Sequence, residues 1–104
     1  MKVNSQLKDN TLYLSLSGEL DHHGAGQAMS AIESRIDVNM PRDCVLDMGG
    51  VTFMDSSGIA VIIKTLRRTT EIGGKFKVTN VAPQPMKVID AAGICRLVDI
   101  SAAE

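Results

Sequence analysis

The 104-residue sequence predicts a single α/β domain with a mostly parallel sheet. Two hydrophobic periods carry this prediction. Leucines at every second position indicate a strand with one buried face: Leu12, Leu14 and Leu16. Apolar residues then recur every three or four positions, as on one face of a helix: Ala25, Ala28, Met29, Ile32 and Ile36. Strands that alternate with helices pair mainly in parallel, through right-handed crossovers.

A hairpin and a long helix are expected at the start of the chain. Residues 3–7 indicate a first strand, and residues 8–10 have the composition of a turn that leads into the leucine strand. Residues 18–24 are expected to form a loop. The helix should then run from residue 23 or 24 to about residue 38, because Pro41 cannot continue it.

The middle of the chain contains a second strand–helix unit. The apolar run at residues 44–48 predicts a central strand that is buried on both faces. Residues 49–58 are expected to form a loop that leads into the clearest helix of the chain. That helix has an apolar stripe within residues 59–66 and should end at Gly73 and Gly74.

The last third predicts one more strand, a short helix and a final strand. Residues 75–79 alternate as a strand, Pro83 opens the helix, and Gly93 ends it. Residues 97–100 suggest the last strand. The predicted order is β-β-α-β-α-β-α-β, with four to five strands and one domain over residues 1–104.

Charge and composition argue against nucleic acid as a direct partner. The net charge is −1, and the small basic cluster of Lys64, Arg67 and Arg68 is interpreted as the solvated face of a helix. Only 3% of the residues are aromatic, so the chain has few side chains on which bases could stack.

The cysteines and the apolar segments suggest an intracellular protein. Cys44 and Cys95 are too few for a disulfide framework, and they have no zinc-ligand spacing. We find no signal peptide, and the longest apolar stretch, residues 59–63, is too short to cross a bilayer. We therefore expect a cytoplasmic protein without a membrane partner.

Two segments could carry chemistry, because loops at the carboxyl ends of strands commonly form the sites of open α/β sheets. They are residues 18–24 and residues 53–58. Both lead into the N-terminus of a predicted helix. We therefore expect them to lie side by side at one end of the molecule.

The second segment contains Asp55, Ser56, Ser57 and Gly58, which is a typical helix start. In one interpretation, Asp55 or Ser56 is only an N-cap. In the other, a serine hydroxyl at this position is a phosphate acceptor, because a helix N-terminus favours negative charge, and Gly58 lets a partner's backbone approach closely. The two interpretations are compatible.

Enzymatic and metal-binding functions are not expected. The pair His22 and His23 lacks a third ligand at a suitable spacing, so loop or capping roles are favoured over metal binding. Asp21, His22 and Ser56 could be imagined as a catalytic triad, but no GxSxG elbow or oxyanion element accompanies the serine. No glycine-rich phosphate loop indicates a nucleotide cofactor. We expect no cofactor.

Three sequence segments resemble the STAS domain family: residues 18–21 (Gly-Glu-Leu-Asp), residues 51–60 around Asp-Ser-Ser-Gly, and residues 72–74 (Ile-Gly-Gly). More narrowly, the chain is similar to the anti-sigma factor antagonists of spore-forming bacteria. Asp-His-His at residues 21–23 and Phe-Met-Asp-Ser-Ser-Gly at residues 53–58 are the closest points of that match. The resemblance covers nearly the whole chain.

The resemblance implies a partner-switching mechanism. The unphosphorylated family member binds an anti-sigma factor that is also a serine kinase, and this binding releases the sigma factor. The kinase phosphorylates the serine that corresponds to Ser56, and a serine phosphatase reverses the reaction. Ser57 corresponds to a serine that is not the main acceptor. The residues expected to contact the partner are Asp21, His22, Met54, Asp55, Ser57 and Gly58.

The end of the sequence differs from the family pattern. Family members usually carry a further C-terminal helix, whereas this sequence stops after its last predicted strand, at residues 102–104. The alternative function is a STAS module of another signalling complex or of a transporter-associated complex. The protein is expected to be a monomer.

Overall fold

The computed structural model describes all 104 residues and contains one five-stranded sheet. The strands lie in chain order: β1 (Lys2–Lys8), β2 (Thr11–Leu20), β3 (Asp43–Met54), β4 (Phe76–Val81) and β5 (Asp99–Ala102). β1 is antiparallel to β2, and the other neighbours are parallel. The β1–β2 turn uses Asp9 and Asn10 at positive φ, as a tight two-residue hairpin requires. The predicted α/β class, hairpin and element order are confirmed.

Three helices connect the parallel strands: α1 (His22–Asn39), α2 (Ser56–Glu71) and α3 (Pro83–Ala92). A 3₁₀ turn, Ile94–Arg96, precedes β5. Met40 is the C-cap of α1: its N–H donates to the carbonyl oxygen of Ile36, and its left-handed backbone turns the chain out of the helix. No helix is both long enough and apolar enough to span a membrane.

The hydrophobic core is aliphatic and covers one face of the sheet. Alternate residues of β2 and β3 are 1% exposed or less: Leu12, Leu14, Leu16, Cys44, Leu46 and Met48. The residues between them are exposed or half-buried, as at Tyr13, Val45 and Asp47. The prediction that the central strand is buried on both faces is therefore wrong.

The strands β2 and β3 extend further than predicted. Residues 18–20 and 49–54, which we expected in loops, belong to these strands and pair with each other at the end of the sheet. Register shifts interrupt the pairing, so the buried positions of β3 change from every second residue to every third: Met48, Val51 and Met54. This irregular spacing hid the strand from a period-two pattern.

Two other boundaries also differ from the prediction. α1 begins at His22, one or two residues early, because Asp21 caps it. β5 begins at Asp99, since the 3₁₀ turn ends before Leu97 and Val98 packs into the core.

Candidate functional site

Two strand–helix junctions lie side by side at one end of the sheet. Leu20, the last residue of β2, is in register with Met54, the last residue of β3. The N–H of Asp55 also donates to the carbonyl oxygen of Leu20, over 3.4 Å. One aspartate follows each strand, Asp21 before α1 and Asp55 before α2. The expectation that the two segments lie together is confirmed.

Each aspartate is the N-cap of its helix. Asp21 has an extended backbone, and its Oδ1 accepts from the N–H of Gly24 at 2.8 Å. Asp55 has the same conformation, and its Oδ1 accepts from the N–H of Ser57 at 2.8 Å. Such a cap stabilises a helix by about 1 kcal/mol. Both carboxylates are thus engaged by helix N–H groups.

The two serines occupy the first turn of α2. Asp55 is the N-cap, so Ser56 is the first helical residue, and its side chain is exposed. Ser57 follows and is half-buried. Of the two capping alternatives left open by the sequence, the structure selects Asp55 and leaves the Ser56 hydroxyl at the surface.

Two glycines let the helices start close against the strand ends. A Cβ added to Gly24 would lie 2.2 Å from the carbonyl oxygen of Glu19. A Cβ added to Gly58 would lie 2.4 Å from Cγ of Met54. At Gly24 the close atom is backbone, so a side chain there would push α1 away from the end of β2, whereas at Gly58 the Met54 side chain would have to move.

The residues predicted to contact a partner divide into two groups. Asp21 and Asp55 are half-buried, like Ser57, and His22 is exposed. Met54 is 1% exposed and Gly58 is buried. Met54 and Gly58 pack against each other beneath the start of α2 and support it from the protein interior.

Sequence reasoning missed Gln84, which holds the end of β3. Its side-chain Oε1 accepts from the N–H of Met54 at 2.8 Å, and its Nε2 donates to the carbonyl oxygen of Met54 at 3.0 Å. Gln84 lies in the first turn of α3, 30 residues away in the chain. The only indication in the sequence was a polar side chain between Pro83 and Pro85, at the start of a predicted helix that follows a parallel strand.

The two histidines are surface residues. His22 and His23 are exposed in the first turn of α1, and the His23 ring lies 3.5 Å from the side-chain amide of Gln27. The Asp21 carboxylate accepts from the N–H of Gly24, and the side chains of the imagined triad, Asp21, His22 and Ser56, are not hydrogen-bonded to one another. No group of three His, Cys, Asp or Glu side chains is arranged to hold a metal ion.

Comparisons with known proteins agree with this geometry. The sequence model of the STAS domain matches residues 2–104. The anti-sigma F factor antagonist of Paenibacillus polymyxa is 28% identical over 100 residues, which cover 96% of this chain and 86% of the relative.

Two solved structures of SpoIIAA are similar over 99% of this chain at 25% identity. The unphosphorylated form of this anti-sigma factor antagonist superimposes with a TM-score of 0.80 over 90% of its length. The phosphorylated form, described as a Bacillus cell fate determinant, gives a TM-score of 0.72 over 93% of its length.

Proposed function

Because the chain belongs to the STAS domain family, we propose that it is an anti-sigma factor antagonist controlled by phosphorylation of Ser56. In its unphosphorylated form it binds an anti-sigma factor that is a serine kinase, and the sigma factor is released. Phosphorylation of Ser56 ends this binding. A serine phosphatase restores it, and the protein works as a cytoplasmic monomer and not as an enzyme.

The exposed hydroxyl of Ser56 at the start of α2 is the observation that carries the proposal. A kinase must reach the acceptor hydroxyl, and the surrounding backbone must present it in a defined place. The Asp55 cap fixes the helix start, and Gln84 fixes the residue that precedes this cap. Similarity to SpoIIAA, which is known in both phosphorylation states, supports the same assignment.

A phosphate at Ser56 should change the surface more than the fold. It adds about 1.5 to 2 negative charges at neutral pH beside Asp55 and near Asp21. The helix N-terminus offsets part of the resulting repulsion, by about 0.3–1 kcal/mol for a charge at an exposed position. Docking is therefore lost through charge and bulk at the surface.

Phosphopeptide mapping tests the acceptor. The protein is incubated with ATP and with the anti-sigma kinase from the same genome, and its intact mass is measured before digestion. We expect one phosphate on Ser56, none in the Ser56→Ala variant, and one in the matched Ser57→Ala control. No phosphate, or a phosphate elsewhere, would contradict the proposal and favour a STAS module of another signalling or transporter-associated complex.

Melting curves and binding assays of the Ser56→Asp variant test the mechanism. We expect a melting temperature close to that of the wild type, together with lost binding to the kinase. A collapse in stability would mean that the negative charge acts by disrupting the fold, which is contrary to the proposal.

A further inference from the structure

A groove runs between the N-terminal halves of α1 and α2, next to the proposed phosphate acceptor Ser56. Its volume is about 330 Å³, and eight residues line it: His22, Ala25, Gly26, Met29, Ser57, Ala60, Val61 and Lys64. Ser57, the neighbour of the proposed phosphate acceptor, thus lies in the wall of the groove. A group that binds in the groove would contact the surface beside Ser56.

The titratable side chains that line this groove are one histidine and one lysine. His22 contributes from α1 and Lys64 from α2, and no carboxylate lines the groove. The N-cap carboxylates of Asp21 and Asp55 are not in the groove lining, and they accept hydrogen bonds from the first turns of the two helices. Neither first turn contains a further acidic residue, so these two N-cap carboxylates are the acidic groups at the starts of α1 and α2.

Lys64 has no acidic partner within the protein. None of the three salt bridges involves Lys64 or Arg67, which lies one turn further along α2 on the same side. Arg68 differs, because it pairs with Asp37 and Glu71. An unpaired lysine in the lining of a groove leaves its charge available for a partner.

The shape of the groove selects a side chain with an apolar stem. Gly26, Ala25 and Ala60 are small and leave the groove open, while Met29 and Val61 are buried and give it an apolar floor. A carboxylate on a short aliphatic stem matches both the floor and the basic groups. Glutamate and aspartate are the side chains with this chemistry.

We propose that this groove binds a glutamate or aspartate side chain of the anti-sigma kinase, so that the kinase presents an acidic surface to α1 and α2. The inference rests on the proposed function and adds the chemistry of the partner. It also explains the sign of the switch. A phosphate on Ser56 would place about two negative charges beside the groove, offset the charge of Lys64 and repel the incoming carboxylate.

Charge reversal at Lys64 tests the inference. Affinity for the kinase is measured by titration calorimetry with the unphosphorylated full chain, its Lys64→Glu variant and its Lys87→Glu variant. Lys87 is exposed on α3, outside the groove, so its reversal makes the same change in net charge. We expect Lys64→Glu to weaken binding roughly tenfold to hundredfold and Lys87→Glu to change it less than about threefold.

Salt dependence gives a second readout. Raising the NaCl concentration should weaken wild-type binding more steeply than binding of Lys64→Gln, because the neutral variant has lost one attractive pair. Melting curves establish that the variants are folded, which an exposed lysine should permit.

The outcomes separate the two proposals. If the wild type does not bind the kinase, or binds it equally in both phosphorylation states, the proposed function fails. If the wild type binds in a phosphorylation-dependent manner but Lys64→Glu behaves like Lys87→Glu, only the groove assignment is overturned. Tighter binding by Lys64→Glu would mean that the partner surface is basic, and this result would also overturn it.

Discussion

Alanine at Gly26 should stabilise the protein, whereas alanine at Gly24, two residues earlier in α1, should destabilise it. A Cβ at Gly26 meets no atom within 4 Å, and the position is exposed in the helix interior. Glycine costs about 0.5–1 kcal/mol relative to alanine at such a position, so the free energy of unfolding should rise by that amount.

The same substitution at Gly24 brings a collision. Its Cβ would lie 2.2 Å from the carbonyl oxygen of Glu19 and 3.3 Å from Oδ1 of Asp21. The closer atom is backbone and cannot rotate away, so the strand end and the helix must separate. Overpacking of this kind costs about 1–3 kcal/mol, which exceeds the gain in helix propensity.

Urea denaturation of the two variants and the wild type measures the difference. For a domain of this size, 1 kcal/mol corresponds to about 4–8 °C in melting temperature, so thermal scans should give the same order. Gly26→Ala should have the highest midpoint and Gly24→Ala the lowest, with similar denaturant slopes. A Gly24→Ala variant as stable as the wild type would refute the close approach of α1 to the end of β2. A destabilised Gly26→Ala variant would refute the open space around Gly26.

Two further predictions concern the Gln84 brace, meaning its two hydrogen bonds to the backbone of Met54, and the two cysteine thiols. Replacing Gln84 with leucine removes both hydrogen bonds to the part-buried backbone of Met54. The free energy of unfolding, measured in a denaturant titration, should fall by about 1–3 kcal/mol. An unchanged free energy would contradict the role of Gln84. Burial raises the pKa of the Cys44 thiol. The pKa of the exposed Cys95 thiol is also raised, first by desolvation and second by the nearby Asp90 carboxylate. Iodoacetamide should therefore add one group to the native protein, slowly and at Cys95, and two in denaturant; labelling of native Cys44, detected by mass spectrometry, would contradict its burial.

The element order could be predicted because most elements repeat one simple period. The leucines of β2 predict a strand, and the apolar face of α1 predicts a helix, without any tertiary information. The ends of β2 and β3 could not be predicted, because register shifts space the buried residues Met48, Val51 and Met54 three apart. A three-residue spacing of buried residues does not match the two-residue period of a regular strand, so it did not indicate that β3 continues.

The candidate site was predictable in composition but not in detail. An aspartate followed by two serines indicates a helix start, yet the same letters allow Asp55 or Ser56 to be the cap. Backbone geometry decides for Asp55. The burial of Met54 depends on its packing against Gly58, and the brace by Gln84 joins segments 30 residues apart. Neither feature leaves a local signal.

The contacts that hold the start of α2 determine how phosphorylation of Ser56 affects stability and how it affects binding. The caps, the close glycine contacts and the Gln84 brace hold the start of α2 without using the Ser56 hydroxyl. Domains of this kind have about 5–15 kcal/mol of stability, so a few kcal/mol of repulsion at an exposed position leaves the chain folded. The same few kcal/mol at an interface lowers affinity by about tenfold for every 1.4 kcal/mol. A surface charge can therefore switch binding off while the fold that presents it stays unchanged.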